Sequence, residues 1–188
     1  MIKGNQLKKE IGIVIEQDIL ENPAKSIYLS IGTNLGDKKL NINKAKIHLE
    51  EIGIKILSSS CIYESESWPN PKFPNFFNIV VKASTYFKPQ KLLKEIKRVE
   101  VLIGRKSSLK NYPRVCDIDI IDYDNKHIEI NKKHKNLIIP HQRMHLRNFV
   151  LLPLYEICKD WKHPKKNKKI FELLQDLKIK NIRSIKQL

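Results

Sequence analysis

The chain has 188 residues, about the size of one domain, with 41% hydrophobic and 30% charged residues, and it has no apolar run of about 18 residues that could cross a bilayer as a helix. Its 36 basic residues against 20 acidic ones give a net charge of +16, which invites a nucleic-acid partner, but 30 of the basic residues are lysines and a solvated lysine surface accounts for most of that charge. Three cysteines, Cys61, Cys116 and Cys158, are odd in number and widely spaced, so they point to a reducing cytoplasm and away from a disulfide framework or a zinc knuckle.

Residues 1–25 read as an extension closed by Asn22-Pro23, with no secretory or transit pattern, and residues 26–188 as a single domain. Ser26 to Ile31 forms a strand, and Gly32-Thr-Asn-Leu-Gly36 a turn. Asp37 then stands as N-cap of a helix whose apolar stripe runs through Leu40, Ile42, Ala45, Ile47, Leu49 and Ile52, ended by Gly53. Two strand-like stretches follow, Lys55 to Glu64 and Phe76 to Thr85. Between them the prolines of Ser65 to Asn75 exclude regular structure.

Pro89 opens a second helix that buries Leu92, Leu93, Ile96, Val99 and Ile103 and stops at Gly104. After a polar loop, Arg105 to Pro113, the β-branched stretch Val115 to Tyr123 reads as a central strand, turned by Asp124-Asn125-Lys126 into Ile128 to Ile130. Leu137 to Ile139 is another short strand. Helical spacing returns from Leu146 to Ile157 and from Lys169 to Leu177. The order strand, helix, strand, strand, helix, strand predicts an α+β domain of ferredoxin-like βαββαβ type, with helices on one side of a mostly antiparallel sheet and smaller additions after it.

Chemistry concentrates in one third of the chain. Five of the six arginines, Arg98, Arg105, Arg114, Arg143 and Arg147, fall between positions 98 and 147, and the planar guanidinium grips phosphate oxygens in pairs. In Asp117-Ile-Asp-Ile120 the strand period sends both carboxylates to one face, their Cβ atoms roughly 6 to 7 Å apart. Two such anions in an apolar strand need open solvent or a cation between them, and magnesium takes one or two carboxylates and fills its shell with water and phosphates. Taken alone the pair reads more simply as a solvated strand edge. The basic loop Arg105 to Arg114, with Lys106 and Lys110 inside it, shifts the balance toward phosphoryl transfer, where carboxylates hold metal and guanidiniums neutralise phosphate oxygens. His141 and Arg147 follow the short strand at 137–139. Asn78 beside Phe76 and Phe77 can read the edge of a flat heterocycle while the rings stack on its face, although a plain core aromatic pair would look the same.

Taken in order, Ile31-Gly-Thr-Asn-Leu-Gly-Asp37, Ser60 to Ser65, Phe76-Phe-Asn78, Gly104-Arg105, Pro113-Arg-Val-Cys-Asp-Ile-Asp-Ile120 and Pro140-His-Gln-Arg-Met-His-Leu-Arg-Asn-Phe-Val150 resemble the 6-hydroxymethyl-7,8-dihydropterin pyrophosphokinases of folate biosynthesis, over roughly residues 26–175. The resemblance implies transfer of the β,γ-pyrophosphoryl unit of ATP to a pterin hydroxymethyl group. It implies catalytic roles for Arg105, Arg114, Asp117 and Asp119, the two aspartates holding two Mg²⁺ ions. It implies ATP contacts from Glu100, Arg105, Lys110, Arg114, Ile120, His141 and Arg147, and pterin contacts from Ser65, Trp68, Phe76, Asn78 and Phe149. The partners it implies are small molecules, ATP and the hydroxymethyl pterin, with no nucleic acid and no membrane, on a cytoplasmic monomer. The loops at 65–75 and 105–113 are expected to close over the substrates. The chain departs from the usual family pattern at Ser65-Glu66, at Phe76 and at Tyr112. A basic RNA-binding module is the competing class, but the aromatic- and glycine-rich strand signature is missing and a strand-face aspartate pair repels a nucleic-acid backbone. Another magnesium-dependent nucleotidyl- or phosphotransferase would share the metal pair.

Overall fold

The computed structural model describes residues 23–106, 111–132 and 135–188; the extension, save its last three residues, and Lys110 lie outside the described residues. The elements are β1 (Lys25–Thr33), α1 (Lys38–Glu51), β2 (Lys55–Ser59), β3 (Tyr63–Ser65), β4 (Phe76–Thr85), α2 (Pro89–Leu102), β5 (Asp117–Tyr123), β6 (Ile128–Lys132), β7 (Lys135–Ile139), α3 (Asn148–Ile157), α4 (Ile170–Gln175), α5 (Ile179–Arg183) and β8 (Ile185–Gln187). The main sheet runs β5-β1-β4-β3-β8, with β2 also paired to β4, and every pairing is antiparallel. With β2 and β3 counted as two halves of one strand, this is the ferredoxin-like order expected from the sequence.

Strand periodicity sorts the sheet into two faces. Ile27, Leu29 and Ile31 of β1, Ile79, Val81 and Ala83 of β4, and Ile118 and Ile120 of β5 pack under α1 and α2 as one core. Tyr28, Val80 and Ile121 face the other way, onto Val150, Leu151 and Leu154 of α3 and onto Trp161, Ile170 and Leu173. The helices after β7 therefore roof the face that a minimal ferredoxin-like unit leaves bare. A bulge in β5 opposite Tyr28 and Leu29 lets Ile121 and Asp122 both serve this second face. Asp122, 2% exposed, accepts from Trp161 Nε1 at 3.0 Å.

Several local expectations change. The stretch 55–64 is not one strand: Ser60 Oγ accepts from Val80 N at 3.0 Å while Ser60 N donates to Val80 O at 2.9 Å, and this break separates β2 from β3. β1 runs on through Gly32 and Thr33, which pair with both neighbours or with β4, so the turn begins later than the glycine suggested. On α1, Leu40 and Ile47 face solvent, and the buried stripe is Asn41, Ile42, Ala45 and Leu49. Asp37 caps this helix as expected, accepting from Leu40 N at 3.0 Å. The segment 144–146 is a 3-10 turn, and α3 starts at Asn148. Asp124 and Asn125 both take positive φ, 55° and 51°, in a tight turn closed by Lys126 N donating to Tyr123 O at 3.0 Å, which carries the chain from the main sheet to the separate β6–β7 pair.

Candidate active site

On the second face, beyond the end of α3, the sheet floor stays open. The residues pointing there are Ser30 and Gly32 of β1, Phe76 and Asn78 of β4, and Asp117 and Asp119 of β5, as the period-two pattern requires. They line a cavity of about 540 Å³, closed above by Arg143, Arg147 and Phe149 and at one side by Ser65 and Trp68. A hollow of about 770 Å³ along α2 is larger, but its wall carries Leu93, Lys94, Val101 and Leu102 and none of the candidate residues.

The carboxylate end is built on ion pairs. Arg105 Nη1 reaches Asp117 Oδ1 at 2.6 Å and Glu100 Oε2 at 2.8 Å, so one guanidinium joins α2 to β5. Arg114 Nε lies 3.4 Å from Asp117 Oδ2, and Arg147 Nη1 3.2 Å from Asp119 Oδ2. Burial pushes the Asp117 carboxyl up, but Arg114 and then Arg105 outweigh it and hold it below the usual range, fixing it as the anion. Asp117 and Asp119 keep about a quarter and a third of their side chains exposed, which leaves their free edges to the cavity.

Glu100 lies behind this wall, 2% exposed. It accepts from Ile118 N at 2.7 Å and pairs with Lys97 Nζ at 2.7 Å, and its own carboxyl is pushed up by burial. It is a buttress for Arg105, away from the cavity surface. Ile120 likewise points into the α1–α2 core and can meet a ligand only through its backbone. His141 Nδ1 accepts from Arg143 N at 3.2 Å, and burial pushes its pKa down against the pull of Asp119, so the ring is neutral at pH 7.

At the other end Asn78 Nδ2 donates to Ser65 Oγ at 2.9 Å and to Tyr63 O at 3.4 Å, leaving its position fixed by β3. A Cβ on Gly32 would stand 3.1 Å from Asn78 Oδ1 and 3.7 Å from Phe76 Cδ1; only a glycine leaves this floor clear. The Phe76 ring carries the Arg114 guanidinium 5.6 Å from its centroid, and the Phe149 ring that of Arg147 at 5.5 Å, so the same two arginines touch both ends of the site. Trp68, 71% exposed, stands at the rim.

One organising residue escaped the sequence reading. Asn34, 2% exposed, accepts from Arg114 N at 2.7 Å and donates through Nδ2 to Ser67 Oγ and Pro74 O, both at 3.1 Å. A single amide thus ties the loop after β1 to the loop 66–75 and to the segment leading into β5. The only signal in the sequence is an asparagine between two glycines, which a turn explains equally well.

The carboxylate set suits magnesium. Among the described residues no group of three or more His, Cys, Asp or Glu side chains could hold a metal ion, so a metal here would draw on two aspartates and complete its shell from water and ligand oxygens, the habit of Mg²⁺.

Comparison with known proteins fits this geometry. Residues 28–159 match the family 7,8-dihydro-6-hydroxymethylpterin-pyrophosphokinase (HPPK). A 2-amino-4-hydroxy-6-hydroxymethyldihydropteridine pyrophosphokinase of Aquifex aeolicus is 41% identical over 139 residues, 74% of this chain and 84% of that protein. The enzyme of the same name from Bacillus subtilis is 32% identical over 133 residues, 70% of this chain and 77% of that one. A folic acid synthesis protein of Dictyostelium discoideum is 44% identical over 138 residues, but the chain spans only 20% of its length. The crystal structure of wild-type HPPK-DHPS from Plasmodium falciparum shares the fold at a TM-score of 0.68 and 18% identity, over 89% of this chain and 45% of that one. This chain belongs to the 7,8-dihydro-6-hydroxymethylpterin-pyrophosphokinase family.

Proposed function

We propose that the chain transfers the β,γ-pyrophosphoryl unit of ATP to the hydroxymethyl oxygen of 6-hydroxymethyl-7,8-dihydropterin, a step of folate biosynthesis. The observation that carries this reading is one cavity with two chemically different ends, an aromatic and amide end at Phe76, Asn78 and Phe149 and a carboxylate and guanidinium end at Asp117, Asp119, Arg114 and Arg147. A flat heterocycle and a polyphosphate can lie in it side by side.

The pterin stacks between Phe76 and Phe149, with Asn78 and Ser65 at its edge and Trp68 at the mouth. This directs the hydroxymethyl group toward β5. Asp117 and Asp119 would hold Mg²⁺, two ions in this reading, which would supply charge neutralisation to the phosphates. Arg105 orients Asp117, while Arg114 and Arg147, which border the cavity beside Asp117 and Asp119, supply positive charge to the non-bridging phosphate oxygens. Neutral His141 offers a hydrogen bond on the nucleotide side. The hydroxymethyl oxygen bonds to the β-phosphorus, the bond from that phosphorus to the α,β-bridging oxygen breaks, AMP leaves with the electron pair, and the hydroxyl proton passes to solvent. Among the described residues the titratable side chains at this end of the cavity are the two aspartates and the arginines, so positioning and charge carry the rate in this reading. The protein works as a monomer in the cytoplasm, on small molecules and without nucleic acid.

Incubation with ATP, Mg²⁺ and the hydroxymethyl pterin is expected to give AMP and the pterin diphosphate, and Asp119→Ala to abolish it with the fold intact. ADP as the nucleotide product, or ATP turnover independent of pterin, would sink this function.

A further inference from the structure

The substrate cavity has a wall that the family match, residues 28–159, does not include. Lys180 and Ser184 line it, contributed by α5 and by the junction to β8. The position of this unit is fixed by backbone pairing: β8 runs antiparallel to β3, with Ile185 opposite Ser65, Lys186 opposite Glu64 and Gln187 opposite Tyr63, and Leu188 N donates to Ile62 O at 2.9 Å. Asn148 Nδ2 donates to Ser184 Oγ at 3.2 Å, which pins the junction to the first turn of α3, one residue from Arg147.

Among the described residues four cations border the cavity: Arg114, Arg143, Arg147 and Lys180. Arg114 and Arg147 each lie beside a carboxylate, Asp117 and Asp119 respectively. Among the described residues Lys180 forms no ion pair, and it is the cation that comes from outside the family-matched span. An ammonium on a four-carbon stem meets phosphate as a movable point charge, and it has no comparable attraction for an uncharged heterocycle.

We propose that Lys180 is a ligand-binding residue of this site, held on the cavity wall by the 179–187 unit, and that it takes the phosphate oxygens of an anionic polyphosphate ligand. This rests on the functional reading above, in which ATP and the diphosphate product are the anions and the pterin is neutral. Lys180 adds attraction for those two ligands and none for the pterin.

The test is equilibrium binding of magnesium tripolyphosphate and of 6-hydroxymethyl-7,8-dihydropterin, measured separately on the full chain and on Lys180→Ala, Lys180→Gln and Lys180→Arg, at about 50 mM and about 500 mM salt. Removing the charge is expected to weaken tripolyphosphate about 3- to 10-fold at low salt, with the difference shrinking at high salt and pterin binding unchanged. Lys180→Arg restores the affinity. Equal losses for both ligands, no loss for tripolyphosphate, or no tripolyphosphate binding by the unmodified chain overturns the assignment. AMP formation reports on the transfer reaction independently. AMP without Lys180 dependence removes only this proposal; Lys180-dependent tripolyphosphate binding without AMP removes only the transfer reaction.

Discussion

Arg105 and Asp117 are joined by a 2.6 Å contact between Nη1 and Oδ1, and the same nitrogen lies 2.8 Å from the buried carboxylate of Glu100. One cation therefore serves a cavity-facing carboxylate and a buried one. Arg105→Ala should cut pyrophosphoryl transfer by about 100-fold, the scale of losing a preorganised charge contact. It should also cost about 1–3 kcal/mol of stability, because Glu100 loses one of its two cations. Arg105→Lys should recover much of the stability and less of the rate, since an ammonium keeps the charge but lacks the fixed donor directions of the planar guanidinium. AMP release and urea denaturation read the two effects separately, and loss of stability with full activity would separate Arg105 from the reaction.

Gly32 tests the pterin end. Gly32→Ala puts a methyl group 3.1 Å from Asn78 Oδ1, and β1 is flanked by strands on both sides, so Asn78 is the part that must give. Pterin affinity is expected to fall about 10-fold, or about 1.4 kcal/mol, with nucleotide affinity nearly constant. Titration with each ligand alone measures this. A change confined to the nucleotide would place the pterin elsewhere.

Asn34→Ala removes one acceptor and two donor contacts in a buried position. A stability loss of about 2–4 kcal/mol is expected, together with slower transfer, because Arg114 and the 66–75 loop lose their common anchor. Asn34→Asp keeps the bond from Arg114 N and loses both Nδ2 donors. It should therefore hold the phosphate end better than the pterin end, which the two Michaelis constants distinguish.

His163 predicts a pH dependence of stability. Its Nδ1 accepts from the backbone N–H groups of Lys165 and Lys166, both at 3.2 Å, and burial, followed by the charges of His145 and Lys166, pushes its pKa from 6.5 down to about 4. The folded state thus binds fewer protons than the unfolded chain between those values. The stabilisation is complete above about pH 6.5 and is lost as pH falls toward about 4, by up to about 3 kcal/mol. Thermal melts across this window should show a falling Tm, and His163→Asn should flatten the slope. An unchanged slope in the variant would assign it to other groups.

Much of the fold was legible because alternation and capping are local. The Asp37 cap, Pro89 at the start of α2, the Asp124-Asn125 turn and the facing of Asp117 and Asp119 each depend on neighbours within a few residues in the chain. The split between β2 and β3 was hidden because it depends on Ser60 meeting Val80 across the sheet. Leu40 and Ile47, seven residues apart, share a helix face opposite the one formed by Ile42, Ala45 and Leu49, and therefore look at solvent.

By itself the sequence determined that two carboxylates share one strand face, that arginines gather in the same third of the chain, and that the ordered motifs belong to pterin pyrophosphokinases. Those properties follow from residue type and spacing. Only the tertiary structure decided that Glu100 is a buttress and not a wall of the cavity, that Asn34 binds three segments together, and that Lys180 lines the cavity at all. Each of these depends on which distant segments the antiparallel sheet brings side by side, and no local pattern encodes that pairing.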